Sequence, residues 1–269
     1  MMLRWNAVVL LFFISSYGMQ AGEPLFVPHG ASAMGMAFSV TAVPGHWNSF
    51  NNQALLTSAT GVSASAALET RFMMAALSSK ALSTIIATGP VPIGAIVTHY
   101  GNGDYYRVFA GLGSAINVSG KLSLGVQIDY ITERSIGDYR DVTSLTFETG
   151  MTFELSPSFT MGVHIFNPMA PLNSLPSSIT AGVMWRSSDD LLVTLGSSKA
   201  TDEPLSIECG MNWNIIERIA LRAGYMSSPS CFAFGAGFRT GPLETDAGFL
   251  INSITGISSS LSLLWHIRR

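Results

Sequence analysis

The chain has 269 residues, of which 48% are hydrophobic and only 12% charged, about half the charged fraction of a typical soluble domain. Fourteen Lys and Arg against seventeen Asp and Glu give a net charge of −3. No basic cluster is present, which excludes a nucleic-acid partner because phosphates require grouped Lys and Arg. High hydrophobicity with low charge also excludes a disordered chain and indicates a membrane protein.

The first 21 residues have the features of a secretory signal. Arg4 supplies the positive charge, residues 7–14 form a short apolar run, and small residues precede a cleavage point after Gly18, with a second one at Ala21. The alternative is a membrane anchor, but the apolar run is shorter than the roughly 20 residues of a spanning helix. We therefore predict a signal peptide over 1–21 and an exported mature chain.

Residues 22–58 form a segment without strand periodicity. They contain a run of mostly small residues, 30–41, followed by a cluster rich in Trp, Phe and Asn, 46–54. An apolar tail is poorly solvated in the periplasm, so we favour a hatch folded into the lumen of a barrel over a periplasmic tail. The expected hatch residues are Gly30, Gly35, Trp47, Asn51 and Asn52.

From residue 59 onward, apolar and small or polar residues alternate. Residues 122–130 place Leu, Val, Ile and Tyr on one face and Ser, Gly, Gln and Asp on the other. The same pattern recurs at 159–165, 179–185, 207–213 and 261–267. Alternation predicts strands. Because the second face carries Gly, Ser and Thr instead of Lys, Glu and Arg, the pattern indicates a transmembrane barrel, closed so that no strand edge is left unpaired in hydrocarbon.

We predict an all-β fold for residues 59–269, a transmembrane antiparallel up-and-down β-barrel of about 14 strands. An even number places both chain ends in the periplasm, with tight turns there and longer loops outside. Glycines on the inner face are expected to let tilted strands approach closely. The predicted strands are 61–71, 82–88, 92–101, 105–116, 121–133, 142–154, 158–167, 178–187, 190–198, 205–214, 218–227, 231–239, 243–251 and 257–267.

Alternation also places a set of ionisable side chains in the lumen. Such groups could line a polar path or bind a ligand headgroup, or they could pair with one another and with the hatch. Pairing is the favoured interpretation, because ionisable groups inside a membrane protein need partners. The lumen-facing candidates are Glu69, Arg71, Arg107, Asp129, Glu148, His164, Glu208 and Arg222.

The chain lacks the motifs of an enzyme or a metalloprotein. No Gly-x-Ser-x-Gly motif is present, and no sequence motif identifies a nucleophilic Ser that would pair with His164. A barrel hydrolase with His164 as the catalytic base is therefore a weak third hypothesis. No His, Cys or carboxylate spacing predicts a metal site, and no cofactor is expected. Cys209 is predicted on the outer face and Cys231 on the inner one, two strands apart, so we expect no disulfide between them.

Two motifs resemble a known family. Gly30-Ala-Ser-Ala-Met-Gly-Met-Ala37 and Trp47-Asn-Ser-Phe-Asn-Asn-Gln-Ala54 are similar to the N-terminal hatch of FadL-like outer-membrane barrels, especially the PorV/PorQ branch. The resemblance extends through residues 162–168, residues 221–224 and the last strand. It implies a fourteen-stranded barrel with a hatch. Departures from the family pattern at Ser32, Met36 and Leu55 replace residues that are usually Arg, Gly and Gly.

The resemblance implies two functions. The first is a non-enzymatic barrel of the PorV/PorQ type in the Gram-negative outer membrane, which assists type IX secretion or surface attachment by binding secretion-system or cell-surface proteins. The alternative is a FadL-like channel with a hydrophobic ligand. Both imply contact with outer-membrane lipid. External loops of about 3 to 12 residues by the predicted boundaries favour the first function, since a fatty-acid channel is expected to have longer ones.

Overall fold

The computed structural model describes residues 30–135, 141–170 and 175–268. The predicted signal peptide and residues 22–29 of the predicted hatch lie outside the described residues.

Fourteen strands form one closed antiparallel barrel, as the alternation predicted. Each strand pairs with its neighbours in sequence, and the first pairs with the last. The strands are β1 (Gly61–Thr70), β2 (Ser78–Ala87), β3 (Ile93–Gly101), β4 (Tyr105–Asn117), β5 (Leu122–Ser135), β6 (Val142–Ser156), β7 (Phe159–Phe166), β8 (Ser178–Arg186), β9 (Leu191–Ala200), β10 (Ser206–Ile216), β11 (Ile219–Ser227), β12 (Ser230–Thr240), β13 (Leu243–Asn252) and β14 (Gly256–Arg268).

Each predicted strand overlaps an observed one, and the largest difference is at the start of β2. This strand begins at Ser78, four residues before the predicted start at 82. Ser79 is buried and Lys80 exposed there, so the alternation continues past the apolar stretch with polar residues. Barrel strands extend beyond the apolar band into the interface. A prediction based on apolar outward-facing residues therefore makes such strands too short.

The connections at the two ends of the barrel differ in length. One end carries the end of β14 and connections of at most five residues, such as 157–158, 217–218 and 241–242. The opposite end carries the longest connection, 167–177, although its turn at 228–229 is also short. Short turns and chain ends mark the periplasmic side of such barrels, so the opposite end is external.

The two faces of the wall differ in the predicted way. Leu82, Leu112 and Ile128 are more than 60% exposed on the outer face, whereas inward Ser63 and Ser83 are buried. Outward-facing Trp side chains lie near the periplasmic ends of β8, β10 and β14, where they suit an interfacial girdle. These are Trp185, Trp213 and Trp265.

The helical elements are short. The α-helices are α1 (Ala31–Gly35) and α2 (Asn48–Asn51), and the 3₁₀ helices are Gln53–Ser58, Arg71–Met73 and Ala75–Leu77. Within the described ranges, the longest of these has six residues, and none is long and apolar enough to cross a bilayer.

Candidate functional site: the lumen and the segment inside it

Residues 30–58, here the lumen segment, lie inside the barrel. Helix α1 contacts β11, β12, β13 and β14 on one side, and the 3₁₀ helix Gln53–Ser58 contacts β4, β5 and β6 on the other. Ala31, Leu56 and Gln53 have no solvent exposure. The segment therefore spans the lumen and packs against both halves of the wall.

Inward-facing glycines of the wall leave the space that the lumen segment occupies. At Gly35 and Gly235 two backbones meet directly, because a Cβ added to Gly35 would lie 2.9 Å from the Gly235 Cα. A Cβ on Gly224 would lie 2.5 Å from the Met36 carbonyl carbon. Other wall glycines that face the segment in this way are Gly94, Gly125, Gly150, Gly162, Gly210 and Gly248. Their absent side chains make room for the segment, whereas the sequence had suggested only close approach of neighbouring strands.

Buried amides fix the lumen segment in place. The Asn52 side chain donates to the Thr41 carbonyl at 2.7 Å and to the Met151 carbonyl of β6 at 3.3 Å, and it accepts from the Ala54 backbone N–H. Asn48 donates to the Leu55 carbonyl. Each amide satisfies backbone groups that would otherwise be buried without partners, so loss of one costs about 1–3 kcal/mol.

A second polar contact joins the segment to the wall through Glu148. This carboxylate accepts a hydrogen bond from Gln53 Nε2 of the segment and lies 2.8 Å from His164 Nε2 of β7. In the sheet register Glu148 is opposite Gln127, whose amide donates to Asp129 at 2.9 Å. Three of the predicted lumen residues thus meet in one buried network, and the two glutamines complete it.

Predicted hatch residues Gly30 and Trp47 meet at the start of the segment. Gly30 has φ 108°, and the Trp47 ring occupies the place where a Cβ would stand. This positive φ and the ring contact both require glycine. Asn51, by contrast, makes no hydrogen bond through its buried Oδ1 atom.

Two predicted arginines form ion pairs within the wall. Arg107 Nε lies 2.6 Å from Glu133 Oε1, and Arg222 Nη1 lies 2.5 Å from Asp246 Oδ1. Arg222 and Asp246 stand on β11 and β13, and their contact passes over Gly237 of β12, where a Cβ would lie 3.0 Å from Arg222 Nη1. Neither acidic partner is among the predicted lumen residues, although Glu133 shares the inward parity of Asp129 on β5.

The remaining lumen candidates have local partners. Glu69 and Arg71 lie 3.6 Å apart, Arg71 being just beyond the end of β1 in a 3₁₀ turn. Glu208 accepts from the Ser198 hydroxyl at 2.5 Å. These described contacts are separate from the network around Glu148, so the predicted lumen set is spread over several places in the barrel.

Large apolar side chains also face the lumen, where the sequence pattern predicted only small and polar ones. We call this set the apolar lumen cluster; it lies in the external half of the barrel. Phe50 of the segment meets Phe109 of β4 edge to face, with ring centroids 5.5 Å apart. Asn167 donates to the Leu175 carbonyl at 2.9 Å and so fixes Leu175 beside the end of β7. Its main members are Trp47, Phe50, Ile96, Phe109, Ile131, Phe166 and Leu175.

Removal of the Arg107 side chain is expected to destabilise the wall. In Arg107→Ala, Glu133 and the Tyr105 hydroxyl lose the bonds they accept from the guanidinium. The half-buried carboxylate then has no cation beside it and keeps only the 3.5 Å contact from the Tyr105 hydroxyl. We expect a loss of about 1–3 kcal/mol, measured as a lower melting temperature in detergent. Lys121→Ala, which removes an exposed charge, is the matched control; an equal shift in both variants would contradict the assignment.

The two cysteines lie on opposite faces of the wall. Cys209 is an exposed free thiol and Cys231 a buried one, on the faces that alternation assigned to them.

His46 of the lumen segment is half-buried, and this burial lowers the pKa of its imidazole to about 4. The charges of His266 and Arg239 lower the pKa further, whereas the charge of Glu244 raises it. The ring is therefore neutral at pH 7.

Closed pairing, an apolar outer face and a filled lumen together define an integral outer-membrane β-barrel of a Gram-negative envelope. Solved structures of this class share the fold. The Ralstonia pickettii toluene transporter TbuX aligns over 88% of this chain and 96% of its own, with a TM-score of 0.67 and 11% identity. The Pseudomonas putida toluene transporter TodX aligns over 90% and 99%, with 0.68 and 12%.

A Pseudomonas aeruginosa FadL homologue aligns over 90% of this chain and 99% of its own, with a TM-score of 0.66 and 11% identity. No protein-family model and no curated protein matches the sequence. At 11–12% identity, the likeness to these transporters and to the FadL homologue shows a shared barrel fold, and it does not show the PorV/PorQ branch.

Proposed function

We propose that the barrel is a channel for small hydrophobic molecules across the outer membrane, with the lumen segment as its hatch. The apolar lumen cluster is the observation that carries the proposal. A passage for water-soluble solutes needs no large apolar side chains in its lumen, whereas a hydrophobic solute is stabilised by apolar contact, at about 25 cal/mol per Å² of buried apolar surface. The neighbours TbuX and TodX, both toluene transporters, support the same solute class.

Passage through the lumen requires movement of the segment. Trp47 and Phe50 of the segment pack in one cluster with Phe109 and Ile131 of the wall. A small aromatic molecule could take the place of the Phe50 ring against Phe109, because edge-to-face contact suits any aromatic pair. Displacement of the segment then opens a path through the lumen. This displacement requires free energy because it breaks the buried hydrogen bonds of the Asn52 side chain.

The proposal is tested by uptake of radiolabelled toluene into cells that produce the protein. We expect uptake several-fold above that of cells without it, and a loss of most of this gain in Phe109→Asn, which places an amide in the apolar path. Leu112→Asn on the same strand faces outward and is the matched control. Uptake no higher than in cells lacking the protein would contradict the proposal.

A further inference from the structure

Two imidazoles and one carboxylate meet where the lumen segment touches the wall. The side chains are His46, Glu244 and His266, and their nitrogen and oxygen ligand atoms all lie within 4.8 Å of one another. All three are half-buried. They come from distant parts of the chain, which is why no spacing motif predicts a metal site.

The barrel register brings the two wall residues to the periplasmic end. Glu244 is the second residue of β13 and pairs with Leu264, two residues before His266 on β14. Diagonal neighbours of this kind lie within reach of long side chains. The His266 backbone N–H donates to the Pro242 carbonyl in the adjacent periplasmic turn. The wall thus presents one carboxylate and one imidazole on its inner side, and the segment supplies the second imidazole.

We propose that His46, Glu244 and His266 bind one divalent transition-metal ion, with Zn²⁺ as the representative. Two imidazole nitrogens and a carboxylate oxygen form an established set of zinc ligands that leaves the fourth position for water. Ca²⁺ and Mg²⁺ prefer sites made of oxygen alone, so the donor set favours a transition metal. A tetrahedral ion holds its ligand atoms roughly 3.4 Å apart. Side-chain movements of about 1 Å would bring the three ligand atoms from their present separations to this distance.

Arg239 orients the carboxylate without blocking it. Its Nε and Nη2 atoms donate to the same oxygen of Glu244, Oε2, at 2.9 and 2.6 Å. The other oxygen, Oε1, is left for the metal. Hydrogen bonds from a neighbouring residue that hold a ligand in this way are a regular feature of metal sites.

Metal binding would fasten the lumen segment to β13 and β14. The His46 and His266 rings already meet nearly at right angles, 81°, with centroids 4.9 Å apart. An ion between them adds metal–ligand bonds to a contact that is otherwise only edge to face. His46 precedes Trp47 of the apolar lumen cluster, but no member of the cluster supplies a ligand atom. The proposal therefore does not depend on the nature of the transported molecule.

The test is Zn²⁺ binding by the full-length protein, purified in detergent in the presence of a chelator and then freed of it. We expect calorimetry to show one Zn²⁺ per chain, and Co²⁺ to give the visible absorption of a tetrahedral nitrogen and oxygen site. His46→Ala and His266→Ala should each weaken Zn²⁺ binding at least tenfold, and Glu244→Gln should weaken it as well. His99→Ala is the matched control, since His99 is exposed on β3 and stacks on Tyr106.

A second readout separates binding from folding. Zn²⁺ should raise the melting temperature of the unaltered protein and of His99→Ala, but not that of the two His variants. Heat-modifiable migration in gels identifies folded barrels, and Asn replaces Ala wherever an Ala variant fails this check. Zn²⁺ affinity in the double His46 and His266 variant equal to that of the unaltered protein would overturn the proposal, and so would the absence of binding by the unaltered protein.

Discussion

Deletion of residues 22–56 is expected to leave a folded barrel with a much larger ion conductance. The backbone hydrogen bonds of the fourteen strands close among themselves, so the wall does not need the lumen segment for its pairing. Without the segment, the Gly- and Ser-rich inner face borders open water. We expect single-channel conductance in planar bilayers to rise at least about tenfold, as the lumen of a barrel this wide fills with water.

The full-length protein in the same bilayers is the reference, and heat-modifiable migration shows that the shortened barrel has folded. Small hydrophilic solutes should also enter liposomes that carry the deletion variant. Conductance equal to that of the full-length protein would mean that the segment does not obstruct the lumen, and the hatch proposal would then fail.

Gly224→Val is expected to release the lumen segment while the barrel remains closed. The added side chain would enter the space of the Met36 carbonyl carbon and of the Ala37 nitrogen. Both neighbours are backbone atoms, which move less readily than the end of a flexible side chain. Overpacking of this kind costs about 1–3 kcal/mol, and the cost falls on the docked state of the segment.

Chymotrypsin provides the measurement, because the lumen segment contains Phe38, Trp47 and Phe50 but neither Lys nor Arg. Cleavage within the segment should become several-fold faster in Gly224→Val. Gly103→Val is the matched control, since a Cβ there meets no atom within 4 Å and the backbone φ is not positive. Equal cleavage rates in the two variants would show that Gly224 does not support the segment.

The barrel could be predicted because a strand has a side-chain period of two, and each face has its own solvent. Lipid selects apolar side chains such as Ile128, and the lumen selects small or polar ones such as Gln127, so alternation alone fixes both the strands and their inward faces. The predicted start of β2 is too late because the first residues of this strand lie outside the apolar band. Lys80 faces outward there, but it is polar and so does not mark a lipid-facing position.

The contacts inside the lumen could not be predicted, since they join residues on different strands. A pattern along one strand assigns Arg222 to the lumen but does not show that Gly237 leaves room for it to reach Asp246. Likewise, Phe109 and Ile131 face inward although they are apolar, because they border the aromatic side chains of the segment and not water. Only the closed register brings these groups together.

The lumen segment contains no Asp, Glu, Lys or Arg between residues 30 and 58. It is held by amide and hydroxyl hydrogen bonds, by the Gln53 contact to a buried carboxylate and by the packing of backbone into glycine gaps. Mobile ions screen exposed charge pairs over about 8 Å at physiological ionic strength but act little on buried contacts. We therefore expect docking of the segment to be insensitive to the salinity outside the cell, so that a hatch held in this way stays in place in dilute and in salty water alike.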